Sequence, residues 1–335
     1  MNILVVSSYP PMICGIGAYA EQQVAALRRD GHVVDVFSPP QGDGDFTGDL
    51  TGGMRVLRLA RFLWAYDQAC IHFTPSFFYE PDSKQSRLFT TLAFLLLALA
   101  YRRKLHFLIH ETEYAIGEEH RGISLRRGID RWTFRFCGGV TFHSERERDA
   151  FAAYYGFDPA NPKFEIRPHD RDFMRYCSMN REQARKTLGV DSKKKLFLCI
   201  GFIQPHKGYD RVARALRRVE SPNAMLRIVG SVRIPWQPAI DYTHLLHDLV
   251  NQDPRAGFIE TFPTNELFDT WIVAADYVVV PYHMIWSSGV AARAKIYGRP
   301  VIVSDSGGLR EQMTEGSFCF STDDELVEIL NATSR

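Results

Sequence analysis

Residues 275–311 read ADYVVVPYHMIWSSGVAARAKIYGRPVIVSDSGGLRE, and this stretch decides the fold class. It predicts two strands, one over Tyr277–Pro281 and one over Pro300–Ser304. Between them the pattern predicts a helix that begins near Ser288 and ends at Gly298. Both strands are nearly continuous runs of Val, Ile and Tyr, which is typical of parallel strands covered on both faces. The stretch therefore predicts a β-α-β unit of a parallel sheet.

The start of that helix is a candidate anion site. Its first residues are Ser288, Gly289 and Val290, and the first N–H groups of a helix lack partners within it. These groups lie at the positive end of the helix dipole, where an anion is stabilised. Polar capping of an ordinary β-α-β unit explains the same residues, so this stretch alone leaves both interpretations open.

The composition fits two ordinary domains. A chain of 335 residues with 45% hydrophobic and 24% charged residues is long enough and apolar enough for two cores. The net charge of +1 argues against a nucleic-acid partner. Six scattered cysteines without a C-x-x-C pair indicate reduced, cytoplasmic thiols. The segment MNILVV at residues 1–6 predicts a first strand and not a leader peptide.

Two segments bear on membranes. Leu88–Tyr101 is strongly apolar but shorter than the roughly 20 residues that span a bilayer, so it predicts a buried crossover helix. Arg121–Arg135 is basic with interleaved aromatic residues and predicts an amphipathic helix covering the sheet. The same arginines leave open a contact with a phosphate-rich or membrane-linked acceptor. We expect a cytoplasmic protein and leave peripheral membrane contact open.

The N-terminal part also has a strand–loop–helix order. A strand over residues 2–7 leads through Pro10-Pro11 to Gly15-Ile16-Gly17 and a helix. Gly15-x-Gly17-x-x-Ala20 matches a loose dinucleotide fingerprint, so an NAD-linked enzyme is an alternative. Against it, seven residues separate the strand from the glycines, and Asp35 lies in the middle of the second strand instead of at its end.

The remaining strands of this half include Arg55–Leu59, Ala69–Phe73 and Arg102–Ile109. The last of these ends at His110, and the carboxyl ends of parallel strands are where α/β sheets bind ligands. His110 is therefore a candidate site residue, and Glu111 and Glu113 are nearby acid or base candidates. Asp43-x-Asp45 has the form of a metal-binding carboxylate pair, but a Gly/Asp-rich loop favours solvated carboxylates.

In the second half, a strand over Leu196–Ile200 runs into Gly201-Phe202-Ile203-Gln204-Pro205-His206-Lys207-Gly208 and then a helix over Tyr209–Val219. Lys207 before a glycine at a helix start suits an anion, and a charge-assisted contact there is worth about 1.5–3 kcal/mol. A surface lysine beside a turn is the simpler explanation of the same pattern.

Taken in order, these motifs resemble the retaining nucleotide-sugar glycosyltransferases of family 4, which have the GT-B fold. The resemblance lies in Y-P-P-x-x-C-G-I-x-x-Y over residues 9–19, in His110, in G-x-x-x-x-x-K-G over 201–208 and in A-x-x-x-G-x-P-V-I-x-S-D-x-G-G-x-x-E over 294–311. It covers nearly the whole chain. It implies two Rossmann-like α/β domains with parallel sheets facing across a cleft. We predict an N-terminal, acceptor-binding domain over 1–168, a crossover linker over 169–190 and a C-terminal, donor-binding domain over 191–335.

The resemblance implies transfer of a sugar from a nucleotide-diphosphate donor to an acceptor hydroxyl, with retention of configuration and without a metal or other cofactor. His110 then contacts the donor sugar as the catalytic residue, and the base pocket includes Thr261 and Phe262. The diphosphate is bound by six residues: Gly15, Gly17, Lys207, Ser288, Gly289 and Val290. The acceptor is a glycan, a lipid-linked group or a small molecule.

One departure from the family pattern concerns the donor. The family places two glutamates at the positions of Ile285 and Arg293, and neither carboxylate is present here. We expect altered donor recognition, with Arg293 donating to ribose oxygens or to a phosphate. A non-catalytic nucleotide-binding or scaffold relative and a sugar-nucleotide epimerase of GT-B architecture are the alternatives.

Overall fold

A computed structural model of the protein describes residues 1–111 and 123–334, with side chains in the second range from Leu125 onward. Glu113 and Arg121 lie outside the described residues. The chain divides into two compact units, Met1–Asp172 (unit 1) and the residues from Phe173 onward (unit 2). Both units alternate strands and helices, which confirms the α/β class expected from the sequence.

The described part of unit 1 forms a seven-stranded parallel sheet in the order β3-β2-β1-β4-β5-β6-β7. Its strands are β1 Asn2–Val6, β2 Val33–Ser38, β3 Phe46–Thr47, β4 Gln68–Phe73, β5 Leu105–Ile109, β6 Gly139–Phe142 and β7 Phe164–Ile166. Its helices are α1 Gly15–Arg29, α2 Ala60–Leu63, α3 Pro75–Phe78, α4 Lys84–Ala100, α5 Ile123–Phe136 and α6 Glu145–Tyr155.

Strand β1 shows why these residues form a central strand. Leu4 and Val6 belong to the large apolar core on one face of the sheet, whereas Ile3 and Val5 pack with valines on the other face. Because successive side chains point to opposite faces, a strand buried on both sides must be apolar throughout. The continuous Val/Ile/Leu run thus suits a strand that is covered on both faces, and the predicted first strand is present.

The described part of unit 2 forms a six-stranded parallel sheet in the order β10-β9-β8-β11-β12-β13. Its strands are β8 Lys195–Ile200, β9 Ala224–Gly230, β10 Ala256–Glu260, β11 Tyr277–Val280, β12 Val301–Ser304 and β13 Phe318–Phe320. Its helices are α7 Arg181–Leu188, α8 Tyr209–Leu216, α9 Gln237–Asn251, α10 Asn265–Ala274, α11 Gly289–Ile296 and α12 Asp323–Thr333.

One predicted strand is wrong. Arg55–Leu59 is a 3₁₀ helix that continues into α2. Val56, Leu59 and Leu63 are its buried side chains, at spacings of three and four residues. This is the period of a helix, and the short apolar run was misread as the alternation of a strand.

The two segments that bear on membranes are helices. None of the described helices is long and apolar enough to cross a membrane. In α5 the guanidinium groups of Arg126, Arg127, Arg131 and Arg135 each lie over an aromatic ring, at 5.5–5.7 Å from the ring centroid. The interleaved aromatic and basic residues thus have a packing role on the surface of unit 1.

Candidate functional site

The glycine-rich loop after β8 is held against the end of β11. Gly208 has φ +62°, and a Cβ there would lie 2.4 Å from the carbonyl oxygen of Pro281. Only glycine fits this close approach and this backbone angle. The loop places the Lys207 ammonium nitrogen 3.9 Å from the centroid of the buried Tyr282 ring. No carboxylate of the described residues pairs with Lys207, so its charge is available to an anion.

The start of α11 lies beside the same loop. A Cβ on Gly201 would be 3.6 Å from Val290 Cγ2, so the glycine at the end of β8 contacts the first turn of the helix. The Ser288 hydroxyl caps the helix by accepting from the Ala291 N–H, while its own N–H donates to Gln312 Oε1 at 2.7 Å. Among the described residues, the N–H groups of Gly289 and Val290 have no acceptor. Of the three predicted N–H donors, these two can bind an anion.

The turn after β12 fixes the loop that precedes α11. Gly307 has φ +52°, and a Cβ there would lie 1.8 Å from the carbonyl oxygen of Ile285. Gly308 N–H donates to the carbonyl of Trp286 at 2.6 Å. The paired glycines of the sequence pattern therefore serve close backbone packing at the carboxyl edge of the sheet.

Arg293 points into unit 2. It is 7% exposed, its Nε lies 3.1 Å from Asp269 Oδ1, and its Nη2 donates to Asn265 Oδ1 at 3.1 Å. Its guanidinium also lies over the rings of Phe173, Tyr176 and Phe268. This geometry favours a structural role in place of the predicted contact with ribose or phosphate, and the donor contact stays a prediction.

The electrostatics of this pair are unusual. Burial raises the pKa of Asp269 and lowers the pKa of Arg293, although each partner opposes the shift of the other. The Nε–H of Arg293 is not aligned for a hydrogen bond to Asp269 Oδ1. Asp269 is stabilised instead by the Tyr176 N–H at 2.8 Å and the Tyr297 hydroxyl at 2.7 Å.

The predicted base contacts lie after β10. The Thr261 N–H donates to the carbonyl of Gly230, and Phe262 is 51% exposed. The Phe262 ring stacks on Phe202 at 5.7 Å and 16°. In the resembled family the position of Phe202 is often an arginine. The sequence alone does not show that Phe202 and Phe262 stack on each other.

A polar cavity of about 550 Å³ lies at the carboxyl ends of β11, β12 and β13. Tyr282, whose ring contacts Lys207, contributes to its wall together with Ser304, Asp305 and Arg211. Arg211 is already bound to the Pro281 carbonyl and to Asp323. The sequence analysis missed this cavity because its lining comes from three separate strand ends.

In unit 1 the predicted glycines open α1. A Cβ on Gly17 would lie 3.3 Å from Ser8, so the helix start packs closely on the loop after β1. Cys14 precedes the helix without capping it through its side chain. The N–H groups of Gly15 and Gly17 have no acceptor among the described residues, which fits the predicted anion contact.

His110 lies directly after β5, as predicted, in a cluster of four histidines. His72 is in β4, His143 follows β6 and His169 follows β7, so neighbouring strands each contribute one ring. The four rings surround Tyr19, with centroid distances of 4.9–5.8 Å. Sequence reasoning missed the other three rings, although all lie at or near strand ends.

Tyr19 connects this cluster to a buried ion pair. Its hydroxyl donates to Asp172 Oδ2 at 2.5 Å, and Arg167 holds both carboxylate oxygens of Asp172 at 2.9 and 2.5 Å. Burial and the Asp172 charge raise the pKa of Tyr19, while the bidentate contact with Asp172 raises the pKa of Arg167. Tyr19 therefore remains a neutral hydrogen-bond donor at the centre of the rings.

Glu111 and Asp45, candidates for an acid and for a metal ligand, have other partners within unit 1. Glu111, next to His110, accepts a hydrogen bond from the Thr74 hydroxyl at 3.0 Å. In the loop after β2, Asp45 accepts from the Val36 N–H at 2.8 Å and lies 3.8 Å from Arg28. Asp45 thus helps to hold β2, which is consistent with the solvated-loop interpretation of Asp43-x-Asp45.

Comparisons with known sequences agree with this two-part organisation. A sequence model described as Glycosyltransferase Family 4 matches residues 13–163, and one described as Glycosyl transferases group 1 matches residues 180–332. The D-inositol 3-phosphate glycosyltransferase of Rhodococcus opacus is 29% identical over 178 residues, which are 52% of this chain and 39% of that protein. The enzyme of the same name from Corynebacterium efficiens is 32% identical over 139 residues, 40% of this chain and 32% of the relative. The chain thus matches well under half the length of these relatives.

Solved structures share the fold. The Anabaena HepE protein in complex with UDP and glucose has a TM-score of 0.70 at 18% identity, with 99% of this chain and 89% of that chain covered. Sucrose-phosphate synthase from Thermosynechococcus elongatus has a TM-score of 0.69 at 17% identity, with 100% and 91% covered. At these identities the likeness establishes the fold, which is that of the GT-B glycosyltransferases.

Proposed function

We propose that the protein, each half of which matches a glycosyltransferase sequence model, transfers a sugar from a nucleotide-diphosphate donor to an acceptor hydroxyl with retention of configuration. Unit 2 binds the donor and unit 1 the acceptor, with domains over 1–168 and 191–335 and a linker over 169–190. The donor diphosphate is bound without a metal ion.

The proposal rests on three elements that meet at one edge of the unit 2 sheet: the loop after β8, the end of β11 and the first turn of α11. Lys207 has no carboxylate partner among the described residues, and the loop that holds it contacts the first turn of α11 through Gly201 and Val290. The N–H groups of Gly289 and Val290 are available in that turn. A cation on a loop that contacts a helix start with available N–H donors suits an anion whose charge grows as the glycosidic bond breaks.

In this mechanism the bond between the anomeric carbon and the diphosphate breaks first, and Lys207 with the α11 amides stabilises the departing phosphate oxygen. The N–H groups of Gly15 and Gly17 contribute further donors. His110 orients the sugar, and a diphosphate oxygen takes the proton of the attacking acceptor hydroxyl. The new bond forms on the face that the diphosphate leaves, so the configuration is retained.

Donor recognition differs from that of the resembled family. Ile285 offers only backbone polar groups at one glutamate position, and at the other Arg293 is engaged by Asp269 and Asn265. We propose that the exposed Phe262 ring, which stacks on the half-buried Phe202, compensates together with Thr261 by stacking on the base. HepE was solved with UDP and glucose, which makes a uridine donor the first one to test.

The test is a thermal-shift panel of UDP, GDP, ADP and dTDP sugars on the purified full chain. The true donor stabilises the folded protein by mass action, so it raises the unfolding temperature. The same donor is then incubated with acceptors, including an inositol phosphate because of the relatives' names, and the anomeric configuration of the product is read by NMR. Turnover must persist in a chelator.

Each alternative predicts a different result. Nucleotide binding without transfer or hydrolysis identifies a scaffold, and turnover of the donor without any acceptor identifies an epimerase. Binding of nicotinamide nucleotides identifies an NAD-linked enzyme. Transfer with inversion of configuration contradicts the retaining mechanism but still identifies a glycosyltransferase.

A further inference from the structure

The histidine cluster of unit 1 brings three potential metal ligands together. One ring nitrogen each from His110, His143 and His169 lies within 4.8 Å of the other two. His143 and His169 are buried, and His110 is half-buried, which leaves a side of the cluster through which an ion can enter. No metal-binding motif in the sequence indicates this group, because its members follow three different strands.

One ring nitrogen of His143 has no partner among the described residues. His143 Nδ1 lies 2.9 Å from the carbonyl oxygen of Arg167 and must donate to it, since a carbonyl only accepts. Nε2 therefore carries a lone pair. This atom is buried and has no hydrogen-bond partner among the described residues. His143 as a whole is only 4% exposed. A carbonyl that orients a ring in this way is the usual second partner of a metal-binding histidine.

The orientation of His110 follows from a chain of hydrogen bonds. The Tyr19 hydroxyl donates to Asp172, so it accepts from the Gln23 amide nitrogen at 3.5 Å. The Gln23 oxygen then accepts from His72 Nε2 at 2.8 Å. As His72 has one proton, its Nδ1 accepts from His110 Nε2 at 3.1 Å. The lone pair of His110 is therefore on Nδ1.

The rings are in the protonation state that metals require. Burial, followed by the neighbouring imidazoles, lowers the pKa of His110 and His169 well below the ordinary value. Burial lowers the pKa of His143 to about 4. Neutral imidazole suits Zn²⁺, Cu²⁺ and Ni²⁺, whereas Mg²⁺ and Ca²⁺ prefer oxygen. Asp172, the nearby carboxylate, is already bound by Arg167 and Tyr19.

We propose that His110, His143 and His169 bind one divalent transition-metal ion of the zinc class through three imidazole nitrogens. Three protein ligands leave a fourth position of a tetrahedral ion open to water or to another oxygen ligand. The His143 and His169 rings stack at 3.5 Å, so Zn–N bonds of about 2.0–2.1 Å require these rings to turn until their nitrogens converge. None of these ligands is predicted to bind the diphosphate, so the proposal leaves metal-free diphosphate binding unchanged.

This site goes beyond the proposed function, and its test does not depend on activity. Untagged, full-length protein is titrated with Zn²⁺ in competition with a chromophoric chelator. We expect one equivalent to bind, and we expect His143→Gln and His169→Gln each to weaken binding at least tenfold. His247→Gln serves as the matched control, because His247 lies in α9, outside the cluster, with 44% of its side chain exposed. Equal binding by wild type and both cluster variants would overturn the proposal.

A second measurement needs no variant. Co²⁺ added to the wild-type protein should give the intense visible bands of a tetrahedral ion, and Zn²⁺ should remove them. Absence of these bands, or bands of an octahedral hexa-aqua ion alone, overturns the proposal even if the variants fail to fold. If His110 also contacts the donor sugar, bound Zn²⁺ should inhibit transfer. A protein that is inactive in a chelator, but binds Zn²⁺ once the ion is added, refutes the proposed function and leaves the metal site intact.

Discussion

Both units place their candidate residues at the carboxyl edge of a parallel sheet, but the two groups are built from different chemical material. In unit 1 the group consists of buried, neutral side chains around Tyr19, connected by hydrogen bonds of defined direction. In unit 2 it consists mainly of backbone, with glycines at close approaches, two available N–H groups and one cation. Backbone donors thus offer a site to a charged ligand without titratable side chains, whereas a desolvated cluster keeps its own rings neutral, the state in which imidazole binds a metal.

The strongest test of this contrast is the cation of unit 2. We expect Lys207→Ala to lower kcat/KM for transfer by about 10²–10³-fold, because it removes a preorganised charge at the departing diphosphate. Stability should change little, since Lys207 has no ion-pair partner among the described residues. Lys193→Ala, an exposed lysine in the turn before β8, is the control. An unchanged kcat/KM would mean that backbone donors alone hold the anion.

Among the candidate site residues of unit 2, Arg293 differs because its charge is buried. We expect Arg293→Met to lower the free energy of unfolding by about 3 kcal/mol, since it leaves the Asp269 carboxylate buried without its counter-ion. In an Asp269→Asn background the same change should cost clearly less. Urea unfolding of the four proteins measures this coupling.

Donor affinity of the Arg293→Met protein separates the two interpretations of this residue. Unchanged affinity supports the structural role that its burial favours. Weaker affinity in a protein that remains folded supports the predicted contact with ribose or phosphate, and equal destabilisation in both backgrounds contradicts the ion-pair argument.

Because the histidine cluster of unit 1 is neutral, we expect the folded protein to lose stability at acidic pH. Burial lowers the pKa of His72 to about 3 and that of His143 to about 4. The unfolded chain therefore binds more protons below about pH 6.5, so stability is complete above that value and falls as the pH decreases. Between about pH 7 and about pH 5.5 each of these histidines should cost the folded state about 1 kcal/mol.

Urea unfolding in a chelator, which keeps the cluster free of metal, measures this slope. We expect His72→Gln to reduce the pH dependence by one proton, because the amide can occupy the site without titrating. His247→Gln, at a histidine outside the cluster whose side chain is 44% exposed, is the control variant. A stability that is flat over this pH range would show that the cluster accepts protons in the folded state.

The sequence predicted what is local in the chain. The β-α-β pattern, the glycine-rich loop with Lys207 and the position of His110 at a strand end are all short-range signals, and the structure has each of them. The loop of unit 2 is contiguous in sequence, so its residue types reveal its geometry. Only the 3₁₀ helix at Arg55–Leu59 was assigned to the wrong kind of structure.

What the sequence could not predict depends on the register of separate strands. His72, His110, His143 and His169 come together only because four neighbouring strands end at one level, which no single stretch encodes. The inward direction of the Arg293 side chain could not be predicted for a different reason. Its neighbours Ala291, Ala292 and Ala294 are all buried, so α11 has no polar face from which the inward direction of an arginine could be read.

The aromatic pair of unit 2 gives the smallest expected effect and the finest test. Phe262→Ala should weaken donor binding by about 1 kcal/mol, or about fivefold, if the base stacks on the exposed ring that Phe202 supports. The matched control is Phe318→Ala. That ring is also partly exposed and contacts an aromatic neighbour, Tyr277, but it lies at the amino edge of the sheet. Equal losses from both variants would show a general effect of removing a surface ring. A loss of donor affinity in Phe262→Ala alone would mean that the site of unit 2, although formed mainly by backbone groups, also uses side chains to recognise the base. The contrast with unit 1 would then be smaller.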